Sequence, residues 1–325
     1  MKTWLTQVVG QPPATLEAAA ADASVRRYWR ATWPERSLIV MEADPAQFDC
    51  QPFLHLRERL ETAGLPVPHC LAVNDADGFV LLEDLGDQTL TPLLCDEAAA
   101  QSWYRKAIDL LIAQQTNTPV DGLPVYDSAF LQRELEICRE WYFGQQLGIE
   151  LDSAALAVWQ RSCALIVATN LQQAQVFVHR DFHSRNLMVK DGELRLIDFQ
   201  DAVAGPISYD LVSLLRDAYI EWNEAFVLDL AIRYWEQARA AGLPVDDDFA
   251  TFYRAFEWQG LQRHIKVLGI FARLKYRDGK DGYQADIPRV LAYVKKVCER
   301  YGELAGLRRL LRDVHQEVVE VGYTF

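Results

Sequence analysis

The sequence predicts an α+β chain in two lobes: a small sheet lobe over residues 1–83, a connector over 84–95 and a larger, mainly helical lobe over 96–325. Three observations predict it. Strand-like runs around one helical segment fill the chain as far as Glu83. Helical periodicity dominates after that point, broken only by one short loop and hairpin. At 325 residues the chain also exceeds what one hydrophobic core usually organises.

The small lobe reads β-β-β-α-β-β. Val25 to Trp33 is rich in aromatics and arginine with strand alternation, and Ser37 to Met41 is a short apolar strand. Gln47 to Ala63 has helical spacing and stops at Gly64, with Pro66 behind it. Cys70–Val73 and Phe79–Leu82 flank Asn74-Asp75-Ala76-Asp77-Gly78, a composition suited to a hairpin turn. Beyond the connector, helices are predicted over Asp96–Thr116, Ser128–Gln146, Asp152–Gln173, Ser208–Tyr219, Glu221–Ala241, Asp247–Tyr276, Asp286–Tyr301 and Glu303–Val321.

The interruption carries the chemistry. Val176-Phe177-Val178 leads as a strand into His179-Arg180-Asp181-Phe182-His183-Ser184-Arg185-Asn186. Two apolar runs, Leu187–Val189 and Leu194–Ile197, then flank Lys190-Asp191-Gly192-Glu193 and end in Asp198. Asp-Gly between such runs is a strong hairpin signal. Asp181 therefore leaves one strand, and Asn186 and Asp198 end a hairpin, so the three are expected to converge. Phosphoryl transfer needs a carboxylate that orients the attacking hydroxyl and two oxygen ligands that hold Mg²⁺ on the triphosphate. The spacing H-x-D-x-x-x-x-N, followed by an apolar strand ending in Asp, matches those parts.

Composition narrows the partners. A formal net charge of −13 argues against nucleic acid or an anionic membrane as partner, and no apolar run is long enough to span a bilayer. The apolar start of the chain is interrupted at Gln7 and by Pro12-Pro13, so it does not read as a secretory signal. The six cysteines form no C-x-x-C pair and the histidines no zinc pattern. A cytoplasmic monomer is expected.

On the HRDFHSRN and LIDF residues the chain resembles the aminoglycoside phosphotransferase and choline kinase superfamily of small-molecule kinases, with its bilobal protein-kinase-like fold. More narrowly, Leu196–Tyr219 and Trp258–Leu274 resemble bacterial kinases of the anomeric hydroxyl of N-acetylmuramate and N-acetylglucosamine. The resemblance implies ATP and Mg²⁺ as cofactors, Asp181 as catalytic base, Asn186 and Asp198 as metal ligands, and His179 and Asp210 as supports of the loop. It also implies that Glu83 and Leu85 offer backbone hydrogen bonds to adenine, and that Asp22 to Arg27, with Ser24, covers the phosphates.

One feature departs from that pattern. The third strand of such kinases carries a lysine for the phosphates, but Val40 and Met41 stand there, and no lysine occurs between Lys2 and Lys106. A triphosphate needs a local cation, so an arginine is expected to substitute: Arg26, Arg27 or Arg30 on the second strand, or Arg57 on the helix.

The interval from Asp198 to Asp210 is too short for a protein-kinase activation segment, and no G-x-G-x-x-G loop is present, which favours a small alcohol or sugar as substrate. Glu134, Glu140, Trp141, Tyr142, Gln259 and Arg263 are candidate sugar contacts, although Trp141 and Tyr142 at helical spacing also suit a core. Arg185 or Arg216 would receive the carboxylate of N-acetylmuramate. Transfer to an aminoglycoside, choline or another alcohol remains open, and so does a non-catalytic nucleotide-binding regulator.

Overall fold

The computed structural model describes residues 1–20 and 26–316. By its internal contacts the chain separates into two compact units, Met1–Thr118 with Ser184–Asp201, and Pro119–His183 with the residues from Ala202 onward. The division falls later than residues 83 or 95. It also assigns the hairpin after Asn186 to the first unit, because that hairpin's hydrogen bonds run to first-unit backbone.

The first unit is built on a five-stranded antiparallel sheet in the order β1-β2-β3-β5-β4, from β1 (Thr15–Ala20), β2 (Arg26–Trp33), β3 (Arg36–Ala43), β4 (Cys70–Asn74) and β5 (Phe79–Glu83). One face is apolar. Ala31, Trp33, Leu38, Val40, Phe79 and Leu81 pack there against Leu5, which is fully buried on helix α1 (Lys2–Val9). That helix was not expected from sequence, because its eight residues, ahead of Gly10 and Pro12-Pro13, are too few to show a helical period. Helix α2 (Gln51–Thr62) starts four residues later than the spacing predicts, with Pro52 in its first turn, where the missing N–H costs nothing.

Gly78 closes the β4–β5 turn at φ 68°, and a Cβ there would sit 1.8 Å from the Ala43 carbonyl oxygen, so this turn admits only glycine. Helix α3 (Glu97–Asn117) is capped by the Asp96 carboxylate, which accepts from the Ala99 N–H at 2.9 Å.

In the second unit the helices α4 (Ser128–Ile137), α5 (Ser153–Asn170), α7 (Glu224–Ala240), α8 (Phe249–Tyr276), α9 (Ile287–Arg300) and α10 (Ala305–Val314) lie close to their predicted spans. The part of the last predicted helix beyond residue 316 lies outside the described residues. Two differences are instructive. Cys138–Gln146 continues α4 as a π-helix, and α6 (Tyr209–Leu215) is shorter than the predicted Ser208–Tyr219, every residue of it buried. A two-stranded sheet joins β6 (Gln175–Val178) to β9 (Val203–Pro206). The second of these strands, with its Gly and Pro, carries no strand signal of its own.

Helix α8 is the core of this unit, with seventeen buried residues. At Gly269 it runs so close to the α4–π-helix junction that a Cβ would lie 2.5 Å from the Cys138 nitrogen and the Ile137 carbonyl carbon. Backbone cannot yield as a side chain would. Gly269→Ala is expected to lower stability by about 1–3 kcal/mol, read as a shift in the denaturation midpoint.

All six cysteines are free thiols. Among the described residues no helix is long and apolar enough to cross a membrane.

Candidate active site

The loop leaving β6 is fixed from beneath by Asp210. This fully buried carboxylate on α6 accepts from the backbone N–H of His179 at 2.7 Å and of Arg180 at 3.0 Å. His179 is itself fully buried, its Nδ1 3.4 Å from the Asp181 N–H and its ring edge-on to Phe182. Arg180 takes φ 76°, a left-handed conformation that a non-glycine residue holds only where its surroundings impose it.

The side chain of Arg180 supplies that imposition. Its guanidinium donates to Glu134 Oε1 on α4 at 2.6 Å and lies over the rings of Phe130 and Tyr126. Glu134 is 4% exposed and completes its coordination with Lys266 Nζ at 2.9 Å, Gln262 Nε2 at 3.0 Å and the Tyr126 hydroxyl. Burial alone would raise the Glu134 carboxyl. Lys266 and Arg180 reverse that and hold it below the usual carboxylate range.

Asp181 stands half-buried in the same electrostatic environment. Desolvation works against its charge, but Lys266, His183, Arg263 and Arg180 outweigh it and hold the carboxyl below its ordinary value. A group so placed is ionised at neutral pH and ready to accept a proton.

Sequence reasoning missed Lys266 altogether. The signal was present: Gln259, Gln262, Arg263 and Lys266 fall at i, i+3, i+4 and i+7, a polar stripe inside an otherwise apolar helix.

In the first unit, Asn186 and Asp198 close the two ends of a hairpin formed by β7 (Leu187–Lys190) and β8 (Glu193–Leu196). Asp191 and Gly192 turn it with φ 54° and 76°, both positive as a tight two-residue hairpin turn requires. The hairpin is tied to its unit by the Leu90 and Val189 N–H groups, bonded to the Leu187 and Gln88 carbonyls, and by Leu196 N–H to the Pro66 carbonyl. The Ile197 N–H then bonds the Asn186 carbonyl at 3.2 Å, which brings the two side chains together: Asn186 Nδ2 lies 3.3 Å from Asp198 Oδ2.

Asp198 itself is at φ 63°, with Gln200 Nε2 on its other oxygen at 2.8 Å. A half-turn of the Asn186 amide would present Oδ1 beside a carboxylate whose side chain is 41% exposed. Two hard oxygens on a solvent-accessible hairpin end suit Mg²⁺, which keeps several waters and takes its other ligands from phosphate. Among the described residues no cluster of three or more His, Cys, Asp or Glu could hold a metal by itself.

Residues 15–243 match the phosphotransferase enzyme family. This chain belongs to that family. An N-acetylmuramate/N-acetylglucosamine kinase of Neisseria meningitidis is 48% identical over 100% of this chain and 98% of its own length. One of Pseudomonas aeruginosa is 45% identical over 94% of this chain and 90% of its own. Solved structures share the fold at much lower identity. An ADP-bound aminoglycoside phosphotransferase superposes with a TM-score of 0.60 at 15% identity, covering 90% of this chain and 95% of that one. The choline kinase LicA from Streptococcus pneumoniae does so with 0.60 at 16%, covering 92% and 97%.

Within this phosphotransferase the other expected site residues fall into distinct settings. Ser24 and most of the loop from Asp22 lie outside the described residues. Arg30 is committed to the connector, bonded to Asp84 at 2.7 and 3.1 Å and to Asp87 at 2.8 Å. The Glu83 N–H is used by the His69 carbonyl, and its side chain by Lys190 at 2.6 Å. What Glu83 has to offer a base is its carbonyl. Leu85, two residues on, is buried.

The expected sugar contacts are more altered. Glu134 is enclosed by its four partners and serves as a brace for the loop. Gln259 is fully buried and bonded to Gln262 at 3.1 Å, so it extends that brace. Trp141 packs partly buried on the core, and Tyr142 is inside it with its hydroxyl 2.9 Å from His315. Arg216 is 7% exposed and belongs to a cluster with Glu224 at 2.8 Å and the Tyr293 ring. Arg185, by contrast, is exposed. Periodicity could not tell a buried polar contact from an open one, because both occupy the same helix face.

Proposed function

We propose that the enzyme transfers the γ-phosphoryl group of ATP to the anomeric hydroxyl of N-acetylmuramate or N-acetylglucosamine. The observation that carries the reading is Asp181, half-buried on a loop bonded to Asp210 and braced by the Arg180–Glu134 pair, among cations that hold its carboxyl below the ordinary value. Support for the acceptor comes from relatives of that name, 48% and 45% identical over 100% and 94% of this chain.

In this reading the Asp181 carboxylate accepts the hydrogen bond of the sugar's C1 hydroxyl and aligns its oxygen with the transferring phosphorus. A hemiacetal hydroxyl is more acidic than an ordinary alcohol, so the proton needs to move to Asp181 only late in the transfer. Asn186 and Asp198 would hold Mg²⁺, which would supply positive charge against the developing charge of the phosphates. Glu83 and Leu85 would offer backbone hydrogen bonds to adenine, and exposed Arg185 would be the cation for the carboxylate of N-acetylmuramate.

An ADP-release assay across N-acetylglucosamine, N-acetylmuramate, kanamycin, choline and the methyl glycoside of N-acetylglucosamine tests this. Turnover is expected with the first two alone, with loss of the reducing end. Turnover of the methyl glycoside, which has no free anomeric hydroxyl, or of kanamycin or choline alone, would refute it.

The reading also fixes a pH dependence. Because the Asp181 carboxyl lies below its ordinary value, the basic form persists as pH falls through the usual carboxylate range. The acid limb of kcat/KM against pH should therefore lie at or below that range. Lys266→Met, which removes the first of the cations that depress it, should move the limb upward.

A further inference from the structure

We propose that Arg26 is the phosphate-binding cation of this kinase, so that the charge carried on the third strand in its fold relatives is carried here by the second strand of the same sheet face. The inference rests on the kinase reading only through ATP, not through the sugar.

The register of β2 against β3 supplies the geometry. Arg26 pairs with Ala43, Tyr28 with Met41 and Arg30 with Ile39, and directly opposed residues share a face of the sheet. The alternate residues, Ala31 and Trp33 on β2 and Leu38 and Val40 on β3, build the apolar core under α1 and so face the other way. Of the two residues at the expected lysine position, Val40 is thus turned into that core. Met41 lies on the face of Arg26, one strand over and two residues along. A side chain as long as arginine covers that separation.

The surroundings select Arg26 among the candidates. Arg30 is spent on Asp84 and Asp87, and Arg57 on Glu61 at 3.0 Å. Lys106 reaches the Gly192 carbonyl and Glu193, and Lys190 reaches Glu83 and the Asp84 carbonyl. Arg26 alone among these cations lies beside a proposed metal ligand, with Nη2 3.7 Å from Asp198 Oδ1.

It is 7% exposed, and its guanidinium is lodged near the rings of Phe48 at 5.5 Å and Tyr28 at 6.0 Å. Two aromatic faces fix the plane of a fork whose N–H groups match phosphate oxygens. The Asp198 carboxylate is an ion-pair partner of it in this structure.

Calorimetric titration of the enzyme without sugar tests the assignment, with MgATP and adenosine as separate ligands. Arg26→Met is expected to weaken MgATP by about 10- to 100-fold, the loss of a charge-assisted contact, and to leave adenosine unchanged. Arg26→Lys should retain part of the affinity. Adding Met41→Lys to Arg26→Met should restore it, because that lysine projects from the same face. Unaltered MgATP affinity in a folded Arg26→Met enzyme, or an equal loss for adenosine, overturns the assignment. Neither result bears on whether amino sugars are the acceptor, which turnover of the unmodified enzyme decides on its own.

Discussion

Asp181→Asn is expected to reduce kcat by about 100- to 10,000-fold, the usual contribution of a positioned general base. The substitution keeps the shape and one acceptor oxygen, and the loop has support from other carboxylates. That support comes from Asp210 on the His179 and Arg180 amides, and from Glu134 on the Arg180 guanidinium. Circular dichroism and the denaturation midpoint should therefore stay at the unmodified values, while MgATP affinity is retained. A loss confined to kcat separates a chemical role from a structural one. Retained turnover in Asp181→Asn would remove Asp181 from the mechanism.

Glu134→Ala is expected to give the largest loss of stability. The carboxylate compensates two buried cations, Arg180 and Lys266, and accepts from Gln262 and Tyr126. Removing one partner of a buried ion pair leaves the others uncompensated, at a cost of about 3–5 kcal/mol. Here two cations lose the same carboxylate, so the cost belongs at the upper end. The Tyr126 hydroxyl, whose own ionisation is driven far up by burial, also loses its acceptor.

Because Arg180 holds its left-handed conformation through this contact, kcat should fall together with stability, although Glu134 touches no substrate in this account. Urea denaturation followed by circular dichroism measures the first effect and steady-state kinetics the second. A Glu134→Ala enzyme of unchanged midpoint would show that the brace is not structural. A destabilised enzyme with full kcat, assayed where it is folded, would show that the loop keeps its conformation without it.

The contrast between these two carboxylates shows how far sequence reading extends. Asp181 was legible because its role depends on neighbours along the chain: a strand before it, Asn186 five residues after it, and a hairpin ending in Asp198. Turn chemistry at Asp191-Gly192 and apolar alternation on both sides are local, and they made the hairpin predictable residue by residue. Glu134 was visible only as a polar residue on a helix. Whether it meets a sugar or a guanidinium depends on α8 and the β6 loop, which are far from it in sequence. The same holds for Lys266, whose partners Glu134 and Tyr209 lie 132 and 57 positions away.

The missing lysine was read from sequence as an absence requiring compensation, since no lysine occurs between Lys2 and Lys106. Choosing among four arginines required the register of β2 on β3 and the ion pairs that engage Arg30 and Arg57. Sequence by itself thus determined the two-part α+β organisation, the loop and hairpin with Asp181, Asn186 and Asp198, and the need for a substitute cation. Tertiary structure alone decided which charges are buried and with whom. Backbone conformation follows from short-range sterics and hydrogen bonds, whereas the fate of a charged side chain follows from desolvation and from partners that only folding brings near.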